Sequence, residues 1–129
     1  RLGAANHYPP GHVDTIMPII QSARIIYCSG YFLTVAPSVI TRVMGEASAE
    51  QITALNLSAP FIPQFFGQPL GEAMVHADWI FGNEAEALAW AQSHQLKETK
   101  PLAIALHLYR LPSQRILHRS VCITQGADP

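Results

Sequence analysis

Three apolar runs in this chain of 129 residues each end in a different cluster of small and polar residues. The clusters span residues 56–61, 81–86 and 123–128 and read Asn-Leu-Ser-Ala-Pro-Phe, Phe-Gly-Asn-Glu-Ala-Glu and Ile-Thr-Gln-Gly-Ala-Asp. Open α/β sheets bind their ligands beyond the carboxyl ends of the strands. If the three runs are parallel strands, the clusters therefore share one edge of the sheet, and we expect a binding site there.

The hydrophobic pattern predicts strands and helices in alternation. Apolar runs bounded by turn residues predict strands at 24–28, 51–57, 77–81 and 120–123. Apolar residues at helical spacing predict helices at 12–22, 37–49 and 101–111, two short helical turns within 64–75 and a helix after Asn83. Leu102, Leu106 and Tyr109 form the expected buried side of the helix at 101–111. Crossovers of this length predict an α/β fold: an open, mostly parallel sheet with helices on both faces.

Composition limits the chain to one domain. Its length and its 49% hydrophobic residues are enough to close a single core. Charged residues make up 13%, about half of the usual share of roughly 25%. We therefore expect much of the surface to contact neighbouring structure. The chain also starts at Arg1 rather than at a methionine, so we expect it to be a piece of a larger protein.

Several functional classes lose support from the sequence. A net charge of −1 with scattered Lys and Arg predicts no nucleic-acid partner, and the lack of an apolar stretch of about 20 residues predicts no membrane span. The six histidines show no metal-ligand spacing, and P-loop, Gly-x-Gly-x-x-Gly and Gly-x-Ser-x-Gly motifs are missing. Cys28 and Cys122 lie in predicted strands, so we expect two reduced core thiols and a cytoplasmic location.

The segment that follows the third apolar run carries the clearest chemical signal. Asn83 is a good N-cap and Glu86 lies three residues later, as in a capping box. A helix start here would offer backbone N–H groups to phosphate. Glu86 would repel a bare phosphate, but Mg²⁺ prefers carboxylate and amide oxygens and could lie between them. The alternative is that both residues only cap the helix, and the two roles are compatible.

The other two clusters carry weaker signals. Ser58 supplies a hydroxyl just past a strand, and Phe61 supplies a flat ring on which a base could stack. Phe61 is equally consistent with an ordinary core or rim position. Thr124 and Gly126 form a donor-rich turn that could receive phosphate oxygens, although such turns are common at strand ends.

Read together, five segments resemble the middle of an adenosine kinase of the ribokinase (PfkB) family. They lie in order along almost the whole chain, at residues 4–6, 29–35, 56–61, 81–86 and 124–129. The resemblance is specific, because Asn-Leu-Ser-Ala-Pro-Phe-Ile followed at the right interval by Phe-Gly-Asn-Glu-x-Glu is not a general α/β pattern.

The resemblance implies a doubly wound, three-layer Rossmann-type sheet. It also implies transfer of the ATP γ-phosphoryl group to the 5′-hydroxyl of adenosine, with Mg²⁺, to give AMP in purine salvage. Asn83 and Glu86 match the family's Asn-x-x-Glu motif, which supports magnesium and phosphate through ordered water. Thr124 and Gly126 match the turn beside the ATP phosphates. Phe61 matches an aromatic residue near the nucleoside pocket, and the segment from Ser58 to Phe61 favours adenosine over a sugar or another nucleoside. We therefore expect Phe61 and Ser58 to bind the substrate.

The chain also departs from the family pattern. Two parts of the family find no match in it: the N-terminal part with the lid, and the Asp-Thr-x-Gly-Ala-Gly-Asp segment with the anion hole and the catalytic base. We therefore expect residues 1–129 to be a central segment without a catalytic residue, inactive alone and monomeric when full length. The alternative is a non-catalytic truncated module. Ala36 replaces the family's serine before Pro37, which weakens that helix cap by about 1 kcal/mol.

Overall fold

The computed structural model describes residues 3–127, and its centre is a sheet of four parallel strands. The strands pair in sequence order as β1 (Ile25–Ser29), β2 (Ile52–Asn56), β3 (Trp79–Asn83) and β4 (Ser120–Thr124). Along this order every neighbouring pair is parallel. The predicted parallel α/β fold is confirmed, although β3 begins two residues later than the pattern indicated.

Six α-helices lie between and around the strands in the described part of the chain. They are α1 (His12–Ser22), α2 (Pro37–Gly45), α3 (Phe61–Phe65), α4 (Gly67–Met74), α5 (Glu84–Ser93) and α6 (Pro101–Tyr109). A 3-10 helix at Gly30–Thr34 follows β1 directly. Ala36 contributes no side-chain hydrogen bond to the start of α2, in line with the missing serine. None of the helices in residues 3–127 is long and apolar enough to cross a membrane.

The helices of residues 3–127 pack on one face of the sheet, whereas the sequence predicted helices on both faces. Ile26, Leu55 and Ile80 point to the helical side and are buried. On the other side, Ile25 and Tyr27 are 62% and 57% exposed. The reason is the strand order. Each new strand pairs at the same edge of the growing sheet, so right-handed connections between successive strands all cross the same face.

Two predictions of the core are wrong in detail. Leu102, Leu106 and Tyr109 are 75%, 44% and 47% exposed, and α6 is instead buried through Ile104 and Leu108. Nearly every position of α6 is apolar, so periodicity alone could not choose its buried face. Both cysteines are unpaired, but only Cys28 packs against the core, whereas Cys122 stands opposite Phe81 on the uncovered side of the sheet.

Two buried arginines hold the amino ends of the strands. Arg115 forms an ion pair with Asp78, with Nε 3.1 Å from Oδ1, and it also donates to backbone carbonyls. Arg119 is 4% exposed and donates to five backbone carbonyls around the ends of α4 and α6. Burial lowers the pKa of the Arg119 guanidinium. Arg115 and Arg119 therefore have structural partners, at the end of the sheet remote from the predicted site.

Candidate functional site

The carboxyl ends of the four strands open into one cavity of about 400 Å³. Its walls come from every strand of the sheet and from the loops that follow them. They are formed by Tyr27, Ser29, Tyr31, Asn56, Ser58, Phe81, Gly82, Asn83, Glu86 and Thr124. Four residues predicted from the sequence, Ser58, Asn83, Glu86 and Thr124, thus line the same cavity. The expectation that the strand-end clusters share one edge is confirmed.

Asn83 and Glu86 form a reciprocal capping box at the start of α5. The Asn83 Oδ1 atom accepts the Glu86 backbone N–H at 2.9 Å. In return, Glu86 Oε2 accepts the Asn83 backbone N–H at 2.9 Å, and Glu86 Oε1 accepts Asn83 Nδ2–H at 3.0 Å. Asn83 remains exposed at the cavity, whereas Glu86 is only 6% exposed. The capping role is therefore present, and it fixes the orientation of both side chains toward the cavity wall.

Gly82 allows the Glu86 carboxylate to lie close behind β3. A Cβ atom on Gly82 would lie 3.3 Å from Glu86 Oε2 and 2.9 Å from Leu57 Cδ1. Leu57 is fully buried, so it has little room to move. On the next strand, Thr124 pairs in register with Asn83 and is exposed beside it. The end of β3, the first turn of α5 and the end of β4 thus form one continuous polar wall.

Ser58 joins the loops that follow β1 and β2. Its Oγ accepts the backbone N–H of Gly30 at 2.8 Å and lies 3.0 Å from Ser29 Oγ. Its own N–H donates to Asn56 Oδ1 at 2.8 Å. The backbone of Ser58 has a φ of 69°, in the left-handed region that residues with a side chain seldom adopt. The hydroxyl is thus bound to protein atoms on several sides.

Phe61 and Gly126 lie near the cavity but outside its lining residues. The Phe61 ring contacts Tyr31, with ring centroids 5.9 Å apart, and Tyr31 does line the cavity. Phe61 therefore borders the site through Tyr31, beside the ring of Phe66. Gly126 has a φ of 62° in the turn after β4, a conformation that favours glycine. The last two residues of that motif, 128 and 129, lie outside the described residues.

Six further residues that line the cavity were not predicted as site residues, and four of them are joined by hydrogen bonds. Asn56 Nδ2 donates to the hydroxyl of Tyr27 at 2.8 Å, which connects β2 to β1 across the open face of the sheet. Tyr31 N–H donates to Ser29 Oγ at 3.3 Å. Tyr27 and Ser29 are two residues apart on one strand and so point to the same side. Asn56 is the register partner of Ser29, so strand alternation combined with the register could have found this group.

The charge at the cavity is small and localised. Glu86 is the only carboxylate among the lining residues, and exposed Glu84 adds a second negative charge to the first turn of α5. Within residues 3–127, no group of three or more His, Cys, Asp or Glu side chains is placed to hold a metal ion. The described residues of the cavity therefore offer hydrogen-bond donors and one carboxylate to a ligand. They do not form a metal site in which protein side chains supply all the ligands.

Comparison with known proteins identifies the family. Residues 2–129 match the pfkB family of carbohydrate kinases. This chain belongs to the pfkB family. It is similar to Adenosine kinase 1 of Arabidopsis thaliana, at 36% identity over 99% of this chain and 38% of the relative. The adenosine kinase of Schizosaccharomyces pombe is 35% identical over 98% of this chain and 38% of the relative.

Solved structures agree with the family assignment. The pfkB-family chain superposes on Anopheles gambiae adenosine kinase in complex with P1,P4-di(adenosine-5) tetraphosphate with a TM-score of 0.91 at 37% identity. That match covers 96% of this chain and 38% of the mosquito chain. Trypanosoma brucei brucei adenosine kinase (apo) gives a TM-score of 0.94 at 31% identity, over 99% and 40% of the two chains. The chain therefore spans about two fifths of the length of these relatives.

Proposed function

We propose that this chain is part of an adenosine kinase, which transfers the γ-phosphoryl group of ATP to the 5′-hydroxyl of adenosine. The observation that carries the proposal is the polar wall of Asn83, Glu86 and Thr124 at the carboxyl ends of parallel strands. The resemblance assigns this wall to magnesium and the ATP phosphates, and the curated relatives at 35–36% identity are adenosine kinases.

The wall has the chemistry that the phosphates of ATP require. The N-terminus of α5 carries the positive end of a helix dipole and first-turn N–H groups, which favour anions. Thr124 adds an exposed hydroxyl on the neighbouring strand. Phosphoryl transfer depends on positioning and on stabilising the charge of the transferred group. We propose that the wall positions the phosphates and limits their movement relative to the acceptor.

The residues present fit a magnesium ion held mainly by water and phosphate. A carboxylate has about four lone-pair sites, and the two contacts from Asn83 leave others on Glu86 for ordered water. Mg²⁺ usually keeps several waters and binds through one or two carboxylates together with substrate phosphates. When bound, the ion would neutralise phosphate charge, which would offset the repulsion from Glu84 and Glu86.

The aromatic side of the site supports a nucleoside acceptor. The rings of Tyr31 and Phe61 are partly exposed next to each other, at 44% and 38%. A π face tolerates a heteroaromatic partner such as adenine. We propose that this pair contributes to the adenosine pocket, with Ser58 holding the loop that carries Phe61. An acceptor without an aromatic base would make little use of the pair.

The proposed activity is tested with the complete polypeptide that contains this chain and, in parallel, with the 129-residue chain. A coupled assay with ATP and Mg²⁺ should show AMP formation from adenosine by the complete polypeptide, with lower kcat/KM for ribose, fructose and guanosine. A higher kcat/KM for one of those acceptors would contradict the adenosine assignment. Glu86 is the only carboxylate that lines the cavity, and it accepts hydrogen bonds from Asn83. The cavity therefore has no free carboxylate to act as a base, so we expect no turnover by the short chain. AMP formation by that chain would contradict this expectation.

The uncovered face of the sheet favours a second candidate, a non-catalytic module that binds a partner. Ile25, Tyr27 and Trp79 expose a contiguous apolar surface there. Such a module would associate in solution, so a sharp monomer peak of the 129-residue chain in sizing chromatography would count against it. A cytoplasmic location, a monomeric full-length protein and the lack of nucleic-acid and membrane partners stay predictions.

A further inference from the structure

The hydroxyl of Ser58 has three protein partners within hydrogen-bonding distance. A serine hydroxyl has one donor and two acceptor positions. With its O–H directed at the carbonyl oxygen of Asn56, 3.2 Å away, its two lone pairs accept the N–H of Gly30 and the O–H of Ser29. All three partners are protein atoms. A direct contact with substrate would therefore have to break one of these bonds.

The backbone around Ser58 is constrained from both loops. A Cβ atom on Gly30 would lie 2.7 Å from the carbonyl oxygens of Asn56 and Leu57. Any residue with a side chain at position 30 would therefore force the two loops apart. Ser58 itself has a φ of 69°, and its N–H is held by Asn56 Oδ1. Strained backbone of this kind persists only where its surroundings fix it. Contacts from both loops therefore hold this junction in one defined geometry.

The two aromatic residues, Tyr31 and Phe61, lie beside this junction. Gly30 starts the 3-10 helix whose next residue is Tyr31. On the other loop, Pro60 precedes α3, which begins at Phe61. The ring centroids of Tyr31 and Phe61 lie 5.9 Å apart across the junction. Because the hydrogen bonds of Ser58 connect the two backbones, they also set the separation of the two rings.

We propose that Ser58 is a positioning residue, which fixes the spacing of Tyr31 and Phe61 and thereby sets the affinity for the nucleoside without touching it. This inference rests on the proposed function, because it takes the aromatic pair as part of the adenosine pocket. It replaces the direct substrate contact that the sequence predicted for Ser58.

The test is a double-mutant cycle in the complete polypeptide. Ser58→Gly removes the hydroxyl while keeping a residue that accepts a positive φ. We expect it to raise the KM for adenosine about tenfold, with the KM for ATP changed less than about twofold. In a Tyr31→Leu background, the same change should raise the adenosine KM less than about twofold, because coupled residues are not additive. An equal rise in both backgrounds would show a direct contact and overturn the proposal.

Hydrogen exchange gives a readout that does not depend on activity. Ser58→Gly should speed exchange at the amides of Gly30 and Tyr31, whereas Ser22→Gly, at an exposed hydroxyl on α1, should leave them unchanged. Ser29→Ala removes one of the bonds to Ser58 and should change the exchange and the adenosine KM in the same direction by a smaller factor. Unchanged exchange at Gly30 in Ser58→Gly would overturn the coupling, while a wild type that forms no AMP would instead overturn the proposed function.

Discussion

Gly82 and Glu86 are in such close approach that a Cβ atom on Gly82 would lie 3.3 Å from Glu86 Oε2, and 2.9 Å from Leu57 Cδ1. Gly82→Ala must therefore displace either the carboxylate or a fully buried leucine. We expect a loss of about 1–3 kcal/mol in the free energy of unfolding, as for other overpacked cores. Displacement of the carboxylate would also weaken its hold on Asn83, so we expect a higher KM for ATP. Chemical denaturation measures the first effect. Steady-state kinetics of the complete polypeptide, the form used for every kinetic measurement proposed for these variants, measure the second.

Gly71→Ala is the matched control for this substitution. Gly71 lies inside α4, and a Cβ atom there would meet no atom within 4 Å. Alanine is the better helix former, so this variant should gain about 0.5–1 kcal/mol in unfolding free energy with unchanged kinetics. If both glycine variants behaved alike, the close approach at Gly82 would have no functional meaning.

Glu86→Gln separates the charge of the site from its capping geometry. Glutamine keeps one oxygen that can accept the Asn83 backbone N–H, so the unfolding free energy should fall by no more than about 1 kcal/mol. The lost negative charge should lower kcat/KM for ATP about tenfold or more and weaken the dependence of the rate on Mg²⁺ concentration. Kinetics over a range of Mg²⁺ concentrations test this. An unchanged dependence of the rate on Mg²⁺ concentration would show that Glu86 only caps the helix.

Asn83→Ala provides the complementary measurement. It removes the N-cap acceptor of α5 and should cost about 1 kcal/mol of unfolding free energy. Asn83→Asp keeps that acceptor but places a second carboxylate where Nδ2 now lies 3.0 Å from Glu86 Oε1. We expect the aspartate variant to lose more activity than stability, whereas the alanine variant loses both. Thermal unfolding and ATP kinetics on the two variants distinguish capping from phosphate binding.

The ion pair between Arg115 and Asp78 should matter for stability rather than for binding. Both side chains are buried, at 9% and 3% exposure, and the pair lies at the amino ends of the strands. Arg115→Met leaves the Asp78 charge without its partner, which typically costs about 3–5 kcal/mol. The exposed pair of Arg42 and Asp14 supplies the control, since Arg42→Met should cost less than about 1 kcal/mol. Equal losses in urea titrations would contradict a structural role for the buried pair.

The sequence predicts the helix start at Asn83 and the parallel sheet because both depend on local signals. The Asn-x-x-Glu spacing carries its own hydrogen-bond geometry, and the apolar runs fit strands buried in a parallel sheet. Such signals survive in the folded chain with small shifts, such as α2 ending at Gly45 instead of residue 49.

The parts that sequence reasoning missed depend on contacts between distant segments. The fully apolar helix α6 has no polar face to orient it, so only its packing decides that Leu108 is buried and Leu102 is exposed. The roles of Ser29 and Asn56 at the cavity follow from strand register, which a single sequence does not give. The hydrogen bond from Gly30 to Ser58, 28 residues away along the chain, likewise cannot be seen in a local sequence pattern.

The buried thiol of Cys28 makes an alkaline pH dependence of stability predictable. Burial raises the pKa of Cys28 from 9.0 to about 11. Between pH 9 and about 11 the Cys28 thiol is still protonated in the folded chain but ionised in the unfolded chain. The free energy of unfolding therefore falls as the pH rises through this range. The loss attributable to this group should reach about 3 kcal/mol, because one pKa unit corresponds to about 1.4 kcal/mol. Urea titrations at several pH values should show a flatter alkaline slope for Cys28→Ala than for the wild type. Parallel slopes would mean that the thiol ionises alike in both states.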